Sequence, residues 1–290
     1  YTGVDGIPVV SSNYLISANF FRSRDTFRQD IIDQSQLIRA LVFTSPAPPP
    51  TGHTVFDHMV GQGLIIDPTP GKVYFAGQSL GSIQGVPDVA ANPRISRAVF
   101  NVGGGTVVDT FTTSPAFAST VNALLAGLGV QPGTAAYLQF LVVAKTILDP
   151  ADPVNFASHL QASTLPNLLP PLGGNTDGSV PQAPKSILTQ AAFCDQTVPN
   201  AWNYILDSTA GTGPFPIDPT FGTPGTFQLF FTGTPTPTAL ASCPTLTSTS
   251  ANAIPHGFFT NWTTATSQAQ SDAASFLLDP ANKPPSLRTF

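Results

Sequence analysis

The chain has 290 residues, a formal net charge of −5 and only 9% charged residues, against roughly 25% in an average soluble domain. Its 11 Lys and Arg are scattered and leave no basic stripe that would neutralise a phosphate backbone, which argues against nucleic-acid binding. The 41% hydrophobic share invites a membrane reading, but the longest apolar candidate, Thr134 to Leu148, is interrupted by Gln139 and Lys145 and falls short of the ~20 residues a spanning helix needs.

The 21 Phe, with abundant Leu, Ile and Val, supply the apolar surface that disordered chains lack. Every acidic residue is Asp and none is Glu, so any carboxylate chemistry falls to Asp. Starting at Tyr1 without a charged and apolar leader, the sequence reads as a processed product.

Clusters of Pro and Gly punctuate the chain and mark its elements. Arg24 to Phe43 has neither, and Phe27, Ile31, Ile38, Leu41 and Val42 fall on one face of period 3.6, which predicts an amphipathic helix. A Pro-rich loop from Ser45 to Gly71 leads into Lys72 to Ala76, a short β-rich run, and a helix-compatible stretch follows from Leu80 to Ala91. Arg97 to Val102 is the next strand, closed by Gly103, Gly104 and Gly105, which read as a strand-end turn because no G-K-[ST] follows to make a phosphate loop.

Ser114 to Leu128, Thr134 to Leu148 and Val154 to Gln161 read as helices. Ser186 to Phe193 is a strand running into Cys194 and Asp195, and a helix begins over Trp202 to Leu206. Thr226 to Phe231 is the last predicted strand, Thr232 to Pro255 a loop, and Ser267 to Leu278 a closing helix. Strands alternating with helices predict an α/β fold with a mostly parallel sheet covered on both faces.

Gly77-Gln78-Ser79-Leu80-Gly81 matches G-x-S-x-G, in which a strand turns sharply into a helix and exposes a serine hydroxyl as a nucleophile. A serine needs a base, and in enzymes using this turn the chain order is Ser, then Asp, then His. His53 and His58 precede Ser79, and His159 lies before any strand-end acid, which leaves His256. Among the intervening acids Asp195 alone directly follows an apolar strand; Asp218 is the second candidate and Asp109 the third. The backbone N–H of Leu80 is the predicted oxyanion donor.

These segments together resemble the α/β-hydrolase superfamily. Arg24-Asp25 and Arg28-Gln29 in an amphipathic helix, then Val73 to Gly81, then Asn101-Val102-Gly103-Gly104-Gly105, resemble the bacterial exported lipases of the virulence-factor type. The resemblance implies a secreted or cell-surface serine carboxylester hydrolase that acts on lipid or other ester substrates through Ser79, Asp195 and His256, with no metal or organic cofactor. It implies core segments 1–108 and 185–290, with 109–184 as a helical cap; ordinary core helices are the alternative reading of that segment.

The family has several strands ahead of the nucleophile strand, whereas little more than an irregular start precedes Arg24 here. The expectation is that an upstream fragment or a second chain completes the sheet and supplies a second oxyanion donor. Cys194 and Cys243 have no zinc-ligand spacing and are read as a disulfide joining the acid loop to the base loop. Two alternatives stay open: a polyester depolymerase with the same three residues, and a hydrolase-fold scaffold without turnover.

Overall fold

Apolar runs bounded by Gly and Pro become strands of one parallel sheet in the computed structural model, which describes residues 19–42, 55–63, 67, 69, 71–213, 226–234 and 251–290. The strands are β1 (Val73–Gln78), β2 (Ile95–Asn101), β3 (Ser186–Ala192), β4 (Phe227–Phe231) and β5 (Leu287–Thr289). They lie in the order β1-β2-β3-β4-β5, with every neighbouring pair parallel.

Parallel neighbours need a crossover, and helices provide each one. Helix α1 (Phe20–Val42) and the short α2 (Val55–Gly61) precede the sheet, and α3 (Leu80–Ala91) joins β1 to β2. Between β2 and β3 run α4 (Val107–Thr113), α5 (Ala118–Gly127), α6 (Ala135–Leu148) and α7 (Pro153–Ala157). Helix α8 (Asn200–Ala210) joins β3 to β4, and α9 (Thr264–Leu278) joins β4 to β5.

Successive strand residues point to opposite faces, and the core divides accordingly. On one face Ala98, Phe100 and Ile187 pack with Val86, Val89 and Ala90 of α3, Ala157 of α7 and Leu206 of α8. On the other, Val99 and Leu188 meet Ala273 and Phe276 of α9. Helix α1 lies over α3 and α6, placing Ile38 in the first cluster and Phe27 beside Ala144 and Leu148.

Several boundaries depart from the sequence-based expectation for local reasons. Helix α9 starts at Thr264, ahead of the predicted Ser267, because Thr263 and Thr266 form a reciprocal capping box. Helix α4 is not predicted at all. Its start is held by Asp152, whose carboxylate accepts from Thr106 N–H at 2.9 Å and Val107 N–H at 2.8 Å while also capping α7 through Val154 N–H at 3.2 Å. Burial raises the Asp152 pKa, and these three N–H groups oppose the rise. Strand β5 is missed because three residues carry no periodic signal; Leu287 pairs with Leu229, and Leu229 N–H donates to Ser286 O at 2.8 Å.

The helices of the segment 109–184 occupy two positions. Helix α7 belongs to the helical layer against the sheet, with its Ala157 and the following Leu160 fully buried. Helices α5 and α6 lie outside it, tied by Tyr137 Oη donating to Asn122 Oδ1 at 3.0 Å, and their outer surface exposes Leu124, Leu128, Leu138, Val142 and Val143 by 57 to 73%. Among the described residues β1 pairs only with β2, and no helix is long and apolar enough to cross a membrane.

Beneath α9, a chain of buried polar side chains crosses the sheet in register. Asn101 Nδ2 donates to Gln190 Oε1 at 3.0 Å, Gln190 Nε2 to Gln228 Oε1 at 3.0 Å, and Gln228 Nε2 to Asp272 Oδ2 at 2.6 Å. Arg288 closes the chain with a two-nitrogen clamp on Asp272, at 2.9 and 2.7 Å. The carboxylate at one end can only accept, so it sets the direction of every amide back to Asn101.

Candidate active site

In a parallel sheet all strands end on one edge, and here that edge collects strained backbone. Strand β1 runs into Ser79 at φ 54°, β2 into Val102 at φ 44°, and the turn after β3 holds Cys194 at φ 54°. Non-glycine residues in this region cost about 1–3 kcal/mol each and persist only where surrounding contacts fix them.

Those contacts are present at Ser79. Its N–H donates to Asn101 O at 2.8 Å, and its carbonyl accepts from Ser82 N–H and Ile83 N–H, both at 2.9 Å. The buried Ser82 hydroxyl bonds Gly77 O at 2.6 Å and Asn101 O at 2.8 Å, joining the turn to the end of β2. A Cβ on Gly77 would sit 2.4 Å from Gly81 O, so glycine is required there by close approach of the backbone. At Gly81 a Cβ would meet nothing within 4 Å. Gly103 and Gly104 are likewise packed: a Cβ would come within 2.7 Å of Ser82 Cβ and of Val198 Cγ1, respectively. The three-glycine run is therefore a tight strand-end turn.

The candidate acid sits in the turn between β3 and α8. Asp195 is buried, and its Oδ1 accepts from Thr197 N–H at 2.8 Å and Val198 N–H at 3.0 Å. Asn200 supports the turn by accepting from Cys194 N–H at 2.8 Å and donating to Ala192 O at 2.7 Å, and Asn203 donates on to Gly103 O. The second carboxylate oxygen, Oδ2, is thereby left to face His256.

The candidate base lies between β4 and α9. Ile254 N–H donates to Phe193 O at 3.1 Å, and buried Phe258 packs on Phe230 with ring centroids 4.6 Å apart. Between these anchors His256 Nδ1 is 2.6 Å from Asp195 Oδ2, and His256 Nε2 is 2.6 Å from Ser79 Oγ. The structure thus brings Ser79, His256 and Asp195 into one hydrogen-bonded line. With the carboxylate accepting at Nδ1–H, Nε2 is free to accept the serine proton. Ser79 and His256 are partly buried, the His256 side chain being 17% exposed, and Asp195 is sealed from solvent. Leu80 is the first residue of α3, where no earlier helical turn supplies an acceptor for its N–H.

The remaining candidates lie elsewhere. Asp109 pairs with Lys145 at 2.7 Å, His58 is exposed on α2, and His159 Nδ1 bonds Ser163 O. His53, Asp218 and Cys243 lie outside the described residues, so the Cys194–Cys243 pairing does too. Asn200, Asn203 and Gln78 are the site neighbours that sequence reasoning passed over; the N-terminal position of Asn200 on α8 is the one local signal that pointed to any of them. Among the described residues no group of three or more His, Cys or acidic side chains is placed to hold a metal ion. Comparison with protein-family models, with curated proteins and with solved structures finds no match.

Proposed function

We propose that the chain is a serine carboxylester hydrolase of the α/β-hydrolase type, similar to exported bacterial lipases. The observation that carries this reading is the Ser79–His256–Asp195 line at the carboxyl edge of a parallel sheet, with the serine on a strained strand-to-helix turn. In the proposed reaction Ser79 Oγ attacks the ester carbonyl carbon as its proton passes to His256 Nε2. The Leu80 N–H, aided by the positive end of α3, stabilises the oxyanion. The C–O bond to the leaving alcohol then breaks, with His256 returning the proton to the alkoxide. Water, deprotonated by the same nitrogen, releases the acyl group and restores Ser79.

The substrate class is apolar acyl esters. In support, the segment leading into α5 is tied to the acid loop, Ala116 N–H donating to Gln196 O at 3.0 Å, and the α5–α6 pair beyond it exposes five large aliphatic side chains. Among the described residues β1 pairs on one side only, which fits a further strand, from an upstream fragment or second chain, that completes the sheet and adds an oxyanion donor. Export and a Cys194–Cys243 disulfide belong to the same proposal and agree with the low charge.

A fluorophosphonate probe tests the reading. Labelling of the folded protein at Ser79, mapped by peptide mass spectrometry and abolished by Ser79→Ala, is expected together with hydrolysis of p-nitrophenyl esters. Folded protein that neither labels nor turns over overturns the proposal and leaves the scaffold reading.

A further inference from the structure

Gln78 ends β1 immediately before Ser79, and both ends of its side-chain amide are used on the loop that carries His256. Its Nε2 donates to the main-chain carbonyl of His256 at 3.3 Å, and its Oε1 accepts from the Thr260 hydroxyl at 3.1 Å. Thr260 Oγ1 also lies 3.3 Å from Gly257 O, so the amide spans the turn from residue 256 to residue 260. The loop is also anchored at Ile254, Phe258 and Phe259, the last through Gln270 Nε2 donating to its carbonyl at 2.9 Å, and Asp195 holds the His256 ring but not its backbone. Of the contacts that fix this loop, the Gln78 bond is the one made to the histidine's own backbone from the strand that carries the serine.

We propose that Gln78 is a positioning residue for His256, holding the imidazole Nε2 at its 2.6 Å distance from Ser79 Oγ. The inference rests on the hydrolase reading above. A carbonyl acceptor at residue 256 demands a donor at residue 78, and a hydroxyl at residue 260 offers one to an acceptor; a primary amide meets both demands in a single orientation. A carboxylate cannot donate, and an aliphatic residue can do neither. Because Gln78 and Ser79 are adjacent in sequence, any shift of the turn is passed to both partners of the Ser79–His256 bond together. The bond length is thereby insulated from movement of the turn between β1 and α3.

The test compares wild type with Gln78→Leu, Gln78→Glu and Thr260→Val, using a soluble p-nitrophenyl ester and the rate of fluorophosphonate labelling. Misplacing a catalytic group by about 1 Å costs up to about a hundredfold in rate. Gln78→Leu is therefore expected to lower kcat and the labelling rate by between tenfold and a hundredfold, with KM held within about twofold. Gln78→Glu keeps the size of the side chain. Its ionised carboxylate repels the His256 carbonyl, and protonation near the ordinary Glu pKa of about 4.3 restores a donor. The ratio of Gln78→Glu to wild-type kcat is expected to rise as pH falls from 7 to 4.5, a signature that a packing role would not produce. Thr260→Val is expected to act in the same direction and to add little to Gln78→Leu in the double variant. Wild-type kcat in Gln78→Leu, or a pH-independent ratio for Gln78→Glu, overturns the inference. An inactive, unlabelled wild type overturns the hydrolase reading instead, so the two failures are distinguishable.

Discussion

The two glycines of Gly77-Gln78-Ser79-Leu80-Gly81 are equivalent in the motif and opposite in the structure. Gly77→Ala places a Cβ 2.4 Å from Gly81 O, 2.6 Å from Gly81 C and 2.8 Å from Phe75 Cε1. Two of these atoms are backbone and cannot swing aside, so the first turn of α3 must shift against β1. Overpacking of a close-fitted site typically costs about 1–3 kcal/mol, and with backbone as the obstruction a value near 3 kcal/mol is expected. Gly81→Ala meets nothing within 4 Å and lies in a helix, where alanine is favoured over glycine by up to about 1 kcal/mol. Urea unfolding of the two variants should bracket wild type, Gly77→Ala with a lower midpoint and Gly81→Ala at or above it. Labelling of Ser79 should slow in Gly77→Ala even under conditions where it remains folded. A wild-type midpoint in Gly77→Ala, or an equal loss in Gly81→Ala, refutes the close-approach argument.

Asp88 of α3 is buried beside Asp30 of α1, and burial first, then the neighbouring carboxylate, pushes its pKa up to about 8. The folded protein therefore keeps a proton that the unfolded chain releases near pH 4, so stability falls as pH rises from about 4 to about 8, by up to about 1.4 kcal/mol per unit. Asp88→Asn should flatten that slope in thermal melts and be the more stable protein at pH 8; equal slopes would contradict the assignment. Arg288→Met removes both guanidinium bonds to Asp272 and should lower stability by about 2 kcal/mol. Ester hydrolysis per folded molecule should change less than about twofold, because β5 is the far strand of the sheet from β1. Asp152→Ala withdraws the acceptor from the starts of α4 and α7 and should cost about 2 kcal/mol. Limited proteolysis should then cut within 105–118 faster than in wild type, and an unchanged cleavage rate would argue against the double cap.

Much of the architecture is legible in the sequence because it is local or periodic. A strand buried on both faces is rich in apolar residues, which is how Ala98 to Phe100 and Leu229 to Phe231 announce themselves; Val73 to Ala76 carries the same signal although it is only partly buried, with Ala76 exposed. The alternation of such runs with helical segments implies parallel pairing, and a serine between two glycines at a strand end marks the turn at residue 79. The candidate acid and base emerge by chain order, since position relative to the strands eliminates most of the other Asp and His residues.

What the tertiary structure alone decides depends on groups far apart in the chain. Ser79 and His256 meet across 177 residues and Asp195 and His256 across 61, so no spacing rule predicts their 2.6 Å separations. The start of α4 is set by a carboxylate about 45 residues downstream, and the amide chain from Asn101 to Arg288 exists because strand register aligns polar residues that look misplaced in an apolar core. The same holds for Gln78, an unremarked letter between a glycine and a serine until its amide is seen to reach residue 256. Periodicity and motif depend on short-range geometry and are written in the sequence; register, caps between distant segments and the aim of a side chain depend on packing, and only the folded chain determines them.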